Sequence, residues 1–222
     1  MLKVIHKDNN WLIVNKPYDM RIQSYNSTDP SVESILQEKY PDIPKFRNVH
    51  QLDYATSGVY VLALTKSAAA LAAKQFQQRL VKKTYLALVN GHMPDDVYMV
   101  DQPIEDDPDH DFRMRLSPTG RPAETHIHVL QRGYYNYNED KTGMEKRIPV
   151  TKVRLHPISG RRHQLRLHLK YLGHPIIGDY NYEMEYTDTF RMMLHAHSIR
   201  FNTGDQISEF IAEDPFESLI DS

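Results

Sequence analysis

The chain has 222 residues, 40% hydrophobic and 25% charged, with a net charge of −2 at pH 7 and no cysteine. That length suits one domain, or two closely packed halves, and is enough to bury a core; the lack of cysteine excludes disulfides and thiolate zinc sites and fits a reducing compartment. No apolar run reaches the ~20 residues of a membrane span, and the N-terminus has neither a signal peptide's apolar stretch nor an arginine-rich transit face, so a cytoplasmic or nuclear protein is expected.

Residues 2–6 and 11–15 are short β-rich runs around Lys7-Asp8-Asn9-Asn10, which reads as a turn between antiparallel strands. Asp29-Pro30 offers an N-cap and first residue for a helix with the apolar stripe Val32, Ile35 and Leu36, stopped by Pro41. The continuous apolar run 59–64 suits a buried strand. Ser67 then caps a second helix, on which Ala68, Ala72, Phe76 and Leu80 recur every four residues as one packed face. Residues 84–89 return as a strand carrying Tyr85. Further strands are predicted at 124–131 and 150–156, and the polar stretch 132–147 between them is a hairpin excursion or a flexible loop. After Ser159-Gly160 a third helix is expected, with Leu165, Leu169 and Leu172 on one face and Gly173 at its stop. Many strands with a few inserted helices predict an α+β domain over 1–222.

Charge is unevenly distributed. Residues 146–178 hold eight Lys or Arg and no acid, 95–111 hold eight acids and no Lys or Arg, and 201–222 form an acidic C-terminal segment with six acids and no base. A basic stripe beside acidic flanks guides a polyanion to one region and repels it elsewhere. Taken alone, such a stripe is an ordinary solvated basic face.

Two motifs add chemistry to it. In HQLDYATSG (50–58) a carboxylate, Asp53, stands on the loop just before the buried strand; in GRRHQLR (160–166) Arg166 lies beside the apolar stripe of a helix. A half-buried carboxylate protonates unless it has a partner, and a distant arginine is well suited to keep it ionised. Singly, Asp53 reads as a turn residue, Arg166 as a surface arginine and Tyr85 as core filling. Together they suggest an active-site carboxylate.

These stretches, with KKTYLALVNG at 82–91 and GRRHQLRLHLKYLGHPIIGDYNY at 160–182, resemble the RluA-type RNA pseudouridine synthases in residues, order and spacing, from WLIVNKP at 11–17 to LHAHSIRF at 194–201. DMRIQS at 19–24, Gln51 and FRMMLHA at 190–196 look like the eukaryotic branch called RNA pseudouridylate synthase domain-containing protein 1. The resemblance implies a pseudouridine synthase fold, a mixed and mainly antiparallel sheet with flanking helices and a central catalytic cleft. No S4 domain is expected ahead of it.

Conversion of uridine to pseudouridine detaches uracil from ribose C1′, rotates it and reattaches it through C5, which needs a carboxylate but no metal or redox cofactor. By resemblance Asp53 is that carboxylate, Arg166 keeps it ionised, and Tyr85 stacks on the flipped uracil and assists loss of the C5 proton. Gln51 and the run Arg161, Arg162, His163 and Gln164 are expected against the RNA. The family usually has arginine at position 51, where it enters the space left by the extruded base; glutamine keeps the hydrogen bonding and loses the charge. That leaves a second reading open, an RNA-binding protein that retains the fold with weak or no turnover. A third is a docking partner that uses the acidic segment. Ser159 and Arg162 replace commoner threonines. The twelve histidines match no zinc signature, so no metal is expected. The expected partner is substrate RNA, with no membrane association and a monomer as the default.

Overall fold

A computed structural model describes residues 2–24, 29–138, 143, 145–183 and 185–221. The chain divides into two compact units, Met1–Lys83 with Ala196–Glu213, and Thr84–His195 with Asp214–Ser222.

In the first unit, β1 (Lys3–Lys7) and β2 (Trp11–Lys16) form the expected antiparallel pair. β2 pairs with β4 (Ser57–Ala63), whose seven residues are all buried, and β11 (Leu194–Asn202) lies next to β4, giving the order β1-β2-β4-β11. The two-residue β3 (Arg47–Asn48) pairs with β4, and β12 (Ile207–Ile211) pairs with β11. A helix, α2 (Lys66–Gln77), lays Ala68 and Ala72 on a core of Trp11, Ile13, Val59, Val61, Ile199 and Phe201. Small side chains on that face let the helix approach the strands closely. Its N-cap is Thr65, whose hydroxyl accepts from the Ala68 N–H, rather than Ser67, and Leu80 lies beyond the helix end and is exposed. That helix starts earlier than expected, whereas the first helix, α1 (Val32–Lys39), starts later. Ser31 and Ser34 form a reciprocal capping box, so the cap is Ser31 and not Asp29.

In the second unit the order is β5 (Lys82–Asn90), β10 (Glu145–Pro157), β9 (Thr125–Asn138) and β6 (Val97–Val100), every pair antiparallel. The hairpin alternative for 132–147 holds: β9 and β10 are longer than predicted and pair in register from Thr125↔Pro157 to Asn138↔Glu145, with a bulge at Lys152/Val153. Residues 139–142 and 144 of that stretch lie outside the described residues. β7 (Ile104–Asp106) and β8 (Met114–Leu116) make a small separate pair. The third helix, α3 (Gln164–Tyr171), ends at Gly173 with φ +82°, as its sequence requires. The fold is α+β and mainly antiparallel.

The acidic C-terminal segment folds back as part of these units. Phe201 and Phe210 enter the first core, while Asp214 pairs with Lys152 at 2.5 Å, Phe216 is fully buried and Asp221 bridges to Tyr134 in the second unit. No helix among the described residues is long and apolar enough to cross a membrane.

Candidate active site

Asp53 is half-buried on the loop that leads from β3 into β4. Three features fix that loop. Its backbone turns at the aspartate, the Thr56 N–H donating to the Asp53 carbonyl at 3.1 Å. Lys16, at the end of β2, is fully buried, and its ammonium donates to the carbonyls of Pro17, Met20 and Tyr54 at 3.0, 2.9 and 2.9 Å. A buried ammonium is tolerated only when hydrogen-bonded; here its bonds tie the residue after Asp53 to the turn at 17–20, a link strengthened by the Met20 N–H donating to the Tyr54 carbonyl. His50 closes the other side. Its Nε2 accepts from the Val61 N–H at 3.0 Å, and its ring stacks on Phe76 with centroids 5.5 Å apart.

The electrostatics agree with a structural role for His50. Burial, with the nearby Lys83 charge adding to it, pushes this imidazole down to about 3, so it stays neutral and Nε2 remains an acceptor. Lys83 itself is brought down to about 8 by burial. The Tyr60 hydroxyl, 2.8 Å from Asn48 Oδ1 and 3.0 Å from the His50 carbonyl, is pushed up by burial and by the Glu33 charge, so it stays protonated. Gly58 follows at φ +112°, where a Cβ would run into the Ala196 carbonyl of β11. Only glycine allows β4 and β11 to meet there.

Arg166 occupies α3 in the second unit with 3% of its surface exposed. Its Nε and Nη2 donate to Asp179 Oδ2 and Oδ1 at 2.7 and 2.6 Å, a bidentate pair in which the aspartate is fully buried. Tyr182 lies 5.0 Å under the guanidinium, and its hydroxyl is 2.8 Å from His163 Nδ1 and accepts from the Met114 N–H. Asp179 follows Gly178, whose φ of +78° and lack of Cβ let the turn press against the Arg191 carbonyl. His163 has φ +56° and leads directly into α3. Gln164 is buried and bound to protein groups: its Oε1 accepts from the Ser159 hydroxyl and the Arg161 N–H, and its Nε2 donates to the Glu124 carbonyl and Thr125 Oγ1.

Tyr85 is half-buried on β5 opposite Leu155 of β10. The basic stripe is not one exposed face. Arg154, Arg162 and Lys170 are exposed and Arg161 is partly so, whereas Lys152 and Arg166 are internal and paired with Asp214 and Asp179. Arg161 Nε and Arg162 Nη2 donate to the Pro122 and Phe112 carbonyls. Gln51 is exposed and lines a recess of about 430 Å³ with Arg21, Gln23, Glu33 and Tyr54. Gln51 and Asp53 thus belong to the first unit, and Tyr85, Arg166 and the 161–164 run to the second.

Sequence reasoning did not single out Lys16, Asp179 or His50 as parts of the site. A lysine in Asn-Lys-Pro reads as a solvated strand end and an aspartate in Gly-Asp-Tyr as a turn; an internal partner for each leaves no local signal.

Comparisons with known proteins match these motifs. The family model described as RNA pseudouridylate synthase matches residues 10–171. RNA pseudouridylate synthase domain-containing protein 1 of Danio rerio is 34% identical over 236 residues, covering all of this chain and 77% of that protein. Dual-specificity RNA pseudouridine synthase RluA of Yersinia pestis is 36% identical over 199 residues, covering 88% and 90%. The solved structure of human RNA Pseudouridylate Synthase Domain Containing 1 superposes with a TM-score of 0.84 at 34% identity, covering 97% of this chain and 84% of that one. With its motifs on the loop before β4, on β5 and at the start of α3, and with this fold, the chain belongs to the RNA pseudouridylate synthase family, the enzymes that isomerise uridine in RNA to pseudouridine.

Proposed function

We propose that Asp53 is the catalytic carboxylate and that Tyr85 and Arg166 serve the same flipped uridine. The observation that carries this reading is the construction around Asp53: a buried ammonium and a neutral, stacked histidine hold its loop, an expense of buried polar groups that an ordinary turn aspartate does not need. In the reaction the C1′–N1 bond breaks, uracil turns, a C1′–C5 bond forms, the C5 proton leaves and N1 gains a proton. Asp53 attacks uracil C6 or stabilises the sugar at C1′; both routes need its anion. Arg166 offsets the cost of keeping that anion out of water, with Asp179 holding the guanidinium in place. Tyr85 stacks on the uracil face, worth ~1–3 kcal/mol. Arg161, Arg162 and His163 meet the RNA, and Gln164 sets the turn that presents them.

No step of this isomerisation calls for a metal or redox group. Gln51 favours uridines that are already unpaired, because a neutral side chain offsets less of the few kcal/mol that extrusion costs. Gln51→Arg should therefore raise single-turnover rates on hairpin RNA more than on open RNA; equal ratios would remove residue 51 from the flipping step. Mapping pseudouridine in RNA from cells carrying wild-type or Asp53→Asn protein tests the main reading. The sites should vanish with asparagine while the variant still binds RNA. Binding without product from the wild type on authentic RNA would favour a binding protein.

A further inference from the structure

The recess beside Gln51 belongs entirely to the first unit, and its walls differ in chemistry. Its floor is apolar, Ile22 and Leu52, both at least nine-tenths buried. Tyr54, 47% exposed, lines it with the Arg21 guanidinium 5.7 Å over its ring centroid. Glu33 lines it too, its Oε2 accepting from Gln23 Nε2 at 2.8 Å. The segment carrying Arg21 to Gln23 is strapped to the start of α1, because the N–H groups of Val32 and Glu33 donate to the carbonyls of Arg21 and Ile22 at 2.9 and 3.0 Å. These bonds, with the one from Gln23 to the Glu33 carboxylate, join the 21–23 segment to the first turn of α1. At about 430 Å³ the recess falls within the ~300–1,000 Å³ of small-molecule sites.

An exposed aromatic ring with an arginine over one face, next to buried apolar side chains, suits a planar nucleobase on its other face. The acid selects which one. A carboxylate accepts and cannot donate, and guanine alone among the four RNA bases carries two adjacent N–H donors, N1–H and N2–H, on its pairing edge. Gln51, two residues before Asp53, offers an amide for the guanine O6 on the same recess. We propose that this recess binds a guanine flanking the target uridine, stacked along Tyr54 with its pairing edge on Glu33. This rests on Asp53 being the residue that receives the uridine, since Tyr54 is its immediate neighbour in the chain.

The test measures binding, so that it stands apart from turnover. Heptaribonucleotides with a central uridine flanked by guanine, inosine or adenine are titrated against the full chain and against Glu33→Gln and Tyr54→Leu. Inosine lacks only the N2 amine. Guanine should bind about tenfold tighter than inosine or adenine, the range of one bidentate base contact. Glu33→Gln should bring the three within about twofold, an effect of removing that one carboxylate. Tyr54→Leu should weaken all of them alike. Equal affinity for guanine and inosine, a guanine preference that survives Glu33→Gln, or no binding by any of the three would overturn the proposal. The same titration with Asp53→Asn should keep the guanine preference. Pseudouridine formation persisting in that variant would instead sink the catalytic reading, whichever base binds.

Discussion

At the scale of one residue, Lys16 is the group that ties the loop of the proposed catalytic carboxylate to the rest of its unit. Its ammonium holds three carbonyls, one of them beside Asp53, so Lys16→Met should leave three part-buried acceptors short of a donor. A loss of about 3 kcal/mol is expected in urea unfolding, with a fall in turnover larger than any change in RNA affinity. Unchanged turnover in a folded variant would show that the link does not position Asp53. His50 gives a pH signature. Its folded pKa lies below the unfolded value of 6.5, so the unfolded chain binds the proton first and stability falls as pH drops from 6.5 toward 3. Between pH 7 and pH 5 this one group should cost about 2 kcal/mol. Urea unfolding of wild type and His50→Gln at both pH values checks it, the variant losing that much less on acidification. Asp53 and Arg166 stood out in the sequence as candidates because motifs surround them. Asp179 was not, since a buried ion pair joins residues thirteen apart through a turn that any Gly-Asp could make.

At the scale of elements, hydrophobic period located β1, β2, β4, β5, parts of β9 and β10 and the helices α1 to α3, but not β11, and turn chemistry misplaced two of the helix starts. Asp29-Pro30 carries a start signal, yet Ser31 and Ser34 satisfy each other's backbone N–H groups and begin the helix later. Thr65 wins over Ser67 for the same reason, a hydroxyl three residues ahead of an orphan N–H. The short strands β6, β7 and β8 went unpredicted because they lie in or beside the acid-rich stretch, and what stabilises them is pairing with distant partners. The basic stripe was misread in a similar way, as sequence does not tell an exposed cation from one that meets an acid inside. The expectation follows directly. Arg161→Ala and Arg162→Ala should each lower the salt slope of RNA binding by up to about one unit. Lys152→Ala should leave the slope unchanged and reduce stability, because it abandons Asp214 next to the core. Equal slopes for all three variants would move the RNA path away from the 161–162 turn.

For the whole molecule, the pattern of many strands with a few inserted helices was enough for the α+β class, and motif order was enough for the family. Which distant segments share a core was not legible. The 196–213 stretch joins residues of the first 83, as Phe201 packs edge-on against Trp11 with centroids 5.0 Å apart, and alternation of apolar residues names no partner strand. The acids of the C-terminal segment suggested a docking tail, whereas Phe210, Phe216 and Ile220 make it part of the cores. The measurement that bears most directly on the chemistry follows the atom that must leave. RNA carrying tritium at uridine C5 is mixed with excess wild-type or Asp53→Asn protein, and tritium release is timed over a single turnover. Wild type should release it to completion. The asparagine variant, equal in shape and without the anion, should be slower by about a thousandfold or more with RNA affinity within a few-fold of wild type. Release by Asp53→Asn within about tenfold of the wild-type rate would contradict the assignment of Asp53 as the catalytic carboxylate.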